Sequence, residues 1–161
     1  MTTTWVEDDD PDIETLIRQK FRQKIREQIY EFVFAENGRD ALEKILLNTD
    51  VDIVLSDINM PEMDGLTLLT KIGEQHPWMK TVMVSAYGDM ENIRSAMNSG
   101  AFDFITKPVN FEDLEVTIEK TIKQVSQIKN TLKAIKENNI LKMYVDKMDL
   151  VFRERGNYNY L

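Results

Sequence analysis

Short apolar runs alternate with amphipathic segments from the N-terminus to about residue 110. The runs that predict strands lie at 4–6, 31–35, 53–57, 81–85 and 102–106. Between them, apolar residues recur every three or four positions, which predicts helices over 12–30, 41–46, 66–75 and 90–99. Such alternation is typical of an α/β fold with one parallel sheet and helices on both faces, here a (βα)₅ unit.

From Phe111 onward the pattern changes to that of one long helix, without Pro or Gly until Gly156. Its first apolar positions, which predict a core-facing stripe, are Leu114, Ile118, Ile122 (or Thr121) and Val125. The same spacing continues at Ile128, Leu132 and Ile135, is interrupted at Asn138 and Asn139, and resumes with a shifted phase at Leu141, Val145, Met148 and Phe152. The continuation fits a coiled-coil seam. We therefore expect a domain over 1–125, a helical extension over 126–152 and a flexible tail over 153–161.

Composition narrows the function classes. The 161 residues include 28 acidic and 20 basic side chains, so the net charge is −8, which argues against nucleic-acid binding through a broad basic surface. Cysteine is absent and His76 is the only histidine, which excludes disulfides, thiolate metal sites and His-rich metal sites. No apolar run approaches the roughly 20 residues that span a bilayer, and residues 1–7 lack the features of a signal peptide. We expect a cytoplasmic protein that does not bind membranes.

Polar side chains mark the carboxyl ends of four predicted strands. They are the acidic cluster at 7–10, Asp57, Ser85 and Lys107. In open α/β sheets this edge is where ligands bind, at the point where the strand order reverses. A single acid after a strand is usually a helix cap. Here, however, four of the predicted strands end in groups of different chemistry: an acidic cluster, a single carboxylate, a hydroxyl and a lysine. This order predicts one shared site.

The chemistry of these groups indicates phosphoryl transfer. A carboxylate such as Asp57 can attack phosphorus and form an acyl phosphate. Because both reactants are anionic, we expect the acidic cluster to hold a hard divalent cation. This cation would be Mg²⁺, or Mn²⁺ as a substitute. Lys107 supplies a compact positive charge and Ser85 a hydroxyl donor for phosphoryl oxygens. Catalysis would then rest on positioning and electrostatics without a general base.

Four stretches together resemble the receiver domain of two-component response regulators. They are VEDDDPD at 6–12, VLSDINMPEMDG at 54–65, VSAYGD at 84–89 and GAFDFITKP at 100–108. The resemblance covers residues 4–125 and implies a flavodoxin-like sheet in the order 2-1-3-4-5. It also implies a phosphorelay function, with a sensor histidine kinase or a histidine phosphotransfer protein as the donor.

The resemblance assigns Asp57 as the phosphorylated residue. Asp8 and Asp9 would hold the metal together with Asp57 and the backbone carbonyl of Asn59. The side chain of Asn59 would tune the lifetime of the phosphoryl group. Because four acids follow one another, Glu7 and Asp8 remain an alternative metal-binding pair.

Other residues take roles in switching by the same resemblance. Ser85 is implied as the switch hydroxyl, Lys107 as the phosphoryl-binding lysine and Phe104 as an aromatic side chain that changes rotamer. Tyr87 flanks the site and would also tune the lifetime of the phosphoryl group. The Lys107–Pro108 peptide bond is implied to be cis. The signal would leave through the face built by the last two strands and helices.

The helical extension has apolar positions that a receiver fold does not need, so they require another partner. We expect homodimerisation through this helix, or a link to a downstream effector. The stretch ENNILKMYVD at 137–146 resembles linkers that follow receivers fused to nucleotide cyclases. The alternative is a helix that folds back onto the domain or frays.

Two other functions remain open from the sequence. Aspartate-nucleophile phosphatases use similar groups but generally carry a second acid two residues after the nucleophile, where this chain has Asn59. We therefore expect no enzyme activity beyond slow self-dephosphorylation. An interaction module that no longer takes phosphate is the second alternative, and the unusual first strand supports it.

We expect Asp64 to serve as a loop or cap residue and His76 to pack the loop before the fourth strand.

Overall fold

A computed structural model describes residues 2–8, 11–47, 50–60 and 62–156 of the chain. Its five strands are β1 (Thr2–Glu7), β2 (Tyr30–Ala35), β3 (Ile53–Asp57), β4 (Lys80–Ala86) and β5 (Asp103–Lys107). Its helices are α1 (Pro11–Lys20), α2 (Arg22–Arg26), α3 (Gly38–Leu47), α4 (Gly65–Gln75), α5 (Met90–Asn98) and α6 (Phe111–Gly156). Every predicted strand is present, and no boundary differs by more than two residues.

The strands form one parallel sheet in the order β2-β1-β3-β4-β5. This confirms the predicted flavodoxin-like fold. The strand order reverses between β1 and β3, so the cleft at their carboxyl ends is the expected ligand position. All five residues of β3 are buried, as expected of a central strand with helices over both faces.

The core lies on both sides of the sheet. On one side, Ile17 and Phe21 pack with Leu114 and Ile118 of α6 around the apolar residues of β1, β3 and β4. On the other side, α3 and α4 cover Trp5 and Val54. The predicted core stripe of α6 is thus confirmed up to Val125, with Thr121 rather than Ile122 fully buried.

The single helix predicted over 12–30 is wrong in its second half. The structure has two helices separated at Phe21, whose φ of −94° and ψ of 14° depart from helical values. Phe21 is buried, and its ring packs against those of Tyr30 and Phe32 on β2, at centroid distances of 5.9 and 5.3 Å. The chain then turns at Gln28, where φ is +56°. Tyr30 is therefore the first residue of β2 and not the last of a helix.

Contacts divide the chain into two compact units, Met1–Val125 and Ser126–Leu161. In the second unit, every described side chain from 129 to 151 is exposed. The helix includes residues 153–156, which we expected in a flexible tail; arginine and glutamate are good helix formers and extend it to Gly156. The rest of the expected tail, 157–161, lies outside the described residues. None of the helices over the described ranges has the length and apolarity needed to cross a bilayer.

Candidate functional site

The sheet register aligns the strand ends that the sequence singled out. Glu7 pairs with Ser56, so Asp8 and Asp57 follow neighbouring positions on β1 and β3. Ala86 pairs with Lys107 at the ends of β4 and β5. Because all strands are parallel, their polar ends share one edge of the sheet.

Lys107 connects the two acidic positions. Its Nζ lies 2.6 Å from Asp57 Oδ2 and 3.1 Å from Asp8 Oδ2. Both carboxylates are almost fully buried, with side-chain exposures of 7% for Asp57 and 4% for Asp8. Burial alone would lower the pKa of Lys107, but its hydrogen bonds to Asp57 and Asp8 outweigh burial and raise that pKa. The lysine is therefore held in its charged form between two buried carboxylates.

The second oxygen of Asp57 faces the following loop. The Asn59 backbone N–H donates to Asp57 Oδ1 at 2.9 Å. The Gly65 N–H donates to the Ile58 carbonyl at 3.1 Å and closes the loop. A Cβ on Gly65 would lie 2.3 Å from the Asp57 carbonyl oxygen, so only glycine permits this close approach. The loop thus holds the Asp57 carboxylate in one orientation.

The donor chemistry suits a hard cation. Asp8 and Asp57 bring two carboxylates to Lys107, so this trio has a net charge of −1 before any ion binds. Mg²⁺ is commonly held by one or two carboxylates, with waters and phosphate oxygens completing its shell. The described residues contain no group of three or more acidic or histidine side chains that could hold a metal. Asp9 lies outside the described residues, and its predicted role as a ligand stays a prediction.

Ser85 lies at the same edge but donates elsewhere. It is fully buried on β4, and its hydroxyl donates to Asp89 Oδ2 at 3.2 Å. The Asn92 side-chain amide donates to both oxygens of Asp89, at 3.0 and 3.1 Å. The Asn59 side-chain amide lies 3.5 Å from Asp89 Oδ2. These donors, with Asn92 the strongest, keep the pKa of Asp89 below its ordinary value.

The hydrogen bonds of Asp89 were not predicted from the sequence, although Asp89 lies within the VSAYGD motif at 84–89. The available signal was a strand-end hydroxyl followed four residues later by an acid and then by Asn92. Gly88, with a φ of +88°, turns the chain so that Asp89 comes back toward Ser85.

The remaining predicted residues lie around this edge. Phe104 is on β5, with 37% of its surface exposed, and Tyr87 is 89% exposed in the turn after β4. The Lys107–Pro108 peptide bond is cis. Asp64 caps α4 by accepting from the Thr67 N–H at 2.8 Å, which confirms its expected cap role.

His76 lies in the loop before β4, away from the strand-end groups. It is buried, and its ring lies edge-on to that of Trp78, with 5.5 Å between centroids. This confirms the packing role expected for His76.

Comparison with known proteins identifies the family. Residues 5–119 match the family model of the response regulator receiver domain. The match covers well over half of the chain, so the chain belongs to the response regulator receiver domain family. The resemblance drawn from the four sequence motifs is confirmed.

Comparisons with individual proteins are consistent with this family. The chain is 34% identical over 118 residues to the DNA-binding transcriptional regulator NtrC of Escherichia coli strain K12, covering 73% of this chain and 24% of NtrC. It thus spans about a quarter of that relative's length. A CheY-like receiver domain protein from Methanospirillum hungatei JF-1 is 32% identical with a TM-score of 0.66, covering 79% of this chain and 98% of that chain. A structure described as an adenylate cyclase from Rhodopirellula baltica has a TM-score of 0.76 at 22% identity, over 84% and 98% of the two chains, and shows the fold alone.

Proposed function

We propose that this receiver domain is a signalling switch in a two-component phosphorelay and that Asp57 is its phosphorylated residue. The observation that carries the proposal is the Lys107 ammonium, which contacts the buried carboxylates of both Asp57 and Asp8. A buried, oriented carboxylate beside a fixed positive charge is suited to attack a phosphoryl group and to stabilise the product. In the proposed reaction, an Asp57 oxygen forms a bond to phosphorus as the donor's bond to phosphorus breaks.

The side chains act by charge and position. Lys107 would bind one phosphoryl oxygen and neutralise charge that develops in the transition state. The loop N–H of Asn59 orients Asp57, and the buried setting strengthens each electrostatic contact. Asp8, with Asp9 and the Asn59 carbonyl, would hold Mg²⁺ or Mn²⁺ together with Asp57. The cation supplies charge neutralisation between the carboxylates and the phosphoryl oxygens.

The proposed donor is a sensor histidine kinase or a histidine phosphotransfer protein, and the proposed location is the cytoplasm. The output would pass through the face formed by β4, α5, β5 and α6. Large apolar side chains are exposed on these elements, namely Met90, Met97, Phe104 and Val116. Exposed apolar surface of this kind suits a face that gains a partner when the switch changes state.

Intact-mass spectrometry tests the phosphorylation. The wild-type protein is incubated with acetyl phosphate and Mg²⁺, and we expect one phosphate adduct. Asp57→Asn is the matched variant, since it keeps the shape of the side chain and removes its nucleophilic charge. An equal adduct on Asp57→Asn, or no adduct on the wild type, overturns the proposal. Addition of a chelator is expected to suppress the adduct, and an undiminished adduct contradicts the metal requirement.

We further propose that 1–125 is the receiver, 126–152 a dimerisation or linker helix, and 153–161 a short terminal segment. The support is the row of exposed apolar residues at helical spacing, which includes Leu132, Ile135, Val145 and Met148. Because the sequence covers only part of relatives such as NtrC, a downstream effector remains part of the proposal.

Sedimentation of the full chain and of residues 1–125, with and without a phosphoryl mimic, tests the role of the helix. We expect a dimer only when the helix is present. A full chain that stays monomeric at high micromolar concentration in both states contradicts dimerisation.

A further inference from the structure

The carboxylate of Asp89 gathers donors from three elements at the edge of the site. Ser85 on β4 donates its hydroxyl, Asn92 on α5 donates to both carboxylate oxygens, and Asn59 reaches in from the loop after β3. Asp89 itself is the residue before α5, and its backbone N–H donates to the Ala86 carbonyl at 3.2 Å. The carboxylate is thus fixed in place, although none of the proposed phosphoryl chemistry uses it.

The Ser85 hydroxyl has only one proton to donate. In this structure the proton is directed to Asp89, because the Oγ lies 3.2 Å from Asp89 Oδ2. A hydrogen bond to an ionised acceptor is stronger than one between neutral groups. Donation to Asp89 and donation to a phosphoryl oxygen on Asp57 therefore exclude one another.

We propose that Asp89 is a positioning residue that holds the Ser85 hydroxyl in the unphosphorylated receiver and thereby opposes switching. This inference rests on the proposed function, since it concerns the same switch. Phosphorylation must break the Ser85–Asp89 hydrogen bond before Ser85 reaches the phosphoryl group. Asn92 stabilises the holding state, because its two hydrogen bonds keep the carboxylate aimed at Ser85.

A simpler effect of Asp89 must be separated from this one. Its negative charge also repels an incoming phosphoryl anion through space, whatever Ser85 does. Only the holding role depends on the Ser85 hydroxyl. A double-mutant cycle between the two residues therefore distinguishes the two effects.

The first measurement is the affinity of the full chain for beryllofluoride (BeF₃⁻) in the presence of Mg²⁺, followed by amide NMR. We expect Asp89→Asn to bind the mimic about fivefold more tightly than wild type, because less of the free protein is locked in the holding state. In the Ser85→Ala background we expect the same substitution to give a clearly smaller gain, because only the through-space repulsion is then removed. Glu91→Gln, which removes an exposed charge two residues further along, is the control and should leave the affinity unchanged.

The second measurement uses protein without the mimic. If Asp89 opposes switching, amide shifts of Asp89→Asn around β4 and α5 should move along the line from the free to the BeF₃⁻-bound wild type. This readout decides the question even where Ser85→Ala binds the mimic too weakly to titrate. Should Asp89→Asn fail to fold, Asn92→Ala replaces it and is expected to move the same shifts in the same direction.

Three results overturn the inference. They are an unchanged affinity, a gain of equal size with and without the Ser85 hydroxyl, and amide shifts that leave the free-to-bound line. A wild-type protein that does not respond to BeF₃⁻ and Mg²⁺ at all would instead contradict the proposed function itself.

Discussion

The two parts of α6 have the same kind of sequence and opposite surroundings. In the receiver unit, Leu114, Ile118 and Val125 are almost fully buried. In the extension, Leu132, Ile135 and Val145 follow similar spacing and remain about half exposed. Apolar periodicity thus predicts a helix in both parts, but burial depends on whether a sheet or another helix covers the stripe.

The two parts of α6 therefore contribute differently: the first part stabilises the receiver fold, and the extension is available for association. The first part of the helix is needed to complete the core over β1, β3 and β4. Among the described residues after Val125, none has a buried side chain. The apolar residues of the extension therefore contribute to stability only when a partner covers them. Paired substitutions, one in each part where the chain allows it, put this contrast to the test.

The largest effect is expected on phosphorylation. Lys107→Met removes the charge that both buried carboxylates share, and we expect the rate of phosphate uptake from acetyl phosphate to fall by about 10²–10³-fold. Lys142→Met, on the exposed surface of the extension, should leave the rate unchanged. The rates are read from intact mass over time. A similar loss in both variants would mean that the extension takes part in the chemistry.

The second largest effect is expected on the free energy of unfolding, which should respond differently to substitutions in the two parts of α6. Ile118 is 1% exposed and Ile135 is 51% exposed on the same helix. We expect Ile118→Ala to lower the free energy of unfolding by about 2–5 kcal/mol. Ile135→Ala should change it by less than about 0.5 kcal/mol in urea titrations at protein concentrations low enough to prevent association. A cost for Ile135→Ala that grows with protein concentration would sharpen the contrast, because it would reveal association.

Crowding near the site gives a smaller effect. Gly65→Ala places a methyl group against the Asp57 backbone, and we expect it to lower the free energy of unfolding by about 1–3 kcal/mol and to slow phosphorylation. Gly73→Ala lies on an open surface of α4 with no atom near the added methyl group. It should raise the stability by up to about 1 kcal/mol through helix propensity. Equal effects in both variants would show that helix propensity, and not the close approach to Asp57, governs position 65.

The smallest effect concerns an ion-pair cluster within the receiver. Lys24 on α2 contacts Glu115 and Glu119 of α6, and the hydrogen bond to Glu115, opposed by partial burial, raises the pKa of Lys24. Lys24→Met should cost about 0.5–1 kcal/mol, reduced by solvent screening. Lys147→Met, exposed in the extension, should cost less.

The pH dependence of Lys24 follows from the sign of its shift. The pKa is raised on folding, so the stabilising contribution is fully present below the ordinary lysine pKa of 10.5 and is lost only as the pH rises through the higher folded value. The difference in thermal midpoint between wild type and Lys24→Met should therefore stay constant from pH 7 to about pH 9. A difference that shrinks over this range contradicts the raised pKa.

Most of the fold followed from the sequence because the strand signals were strong. The fully apolar start of β3 and the helical repeats on either side of it leave few alternatives to a parallel α/β sheet. The meeting of Asp8, Asp57 and Lys107 was predictable for the same reason, since parallel strands bring their carboxyl ends to one edge. The contacts between residues distant in sequence were thus predictable from local hydrophobic patterns.

Two features did not follow, and both depend on packing that periodicity does not encode. The apolar repeat runs through Phe21 without interruption, but its ring is buried against Tyr30 and Phe32, and the helix breaks there. The Ser85–Asp89 hydrogen bond needs the turn at Gly88, and a spacing of four residues after a strand does not specify such a turn. The position of Asp9 lies outside the described residues and stays a prediction.

The contact of Lys107 with Asp57 joins strand ends 50 residues apart, and its contact with Asp8 joins ends 99 residues apart. While the ribosome is still making the chain, the Asp57 carboxylate therefore emerges long before Lys107. Under the proposed function, a nascent chain that has not yet released Lys107 lacks the charge that binds the phosphoryl group, so it should not be a substrate for the kinase. The order of synthesis would then restrict phosphorylation to chains whose last strand has joined the sheet.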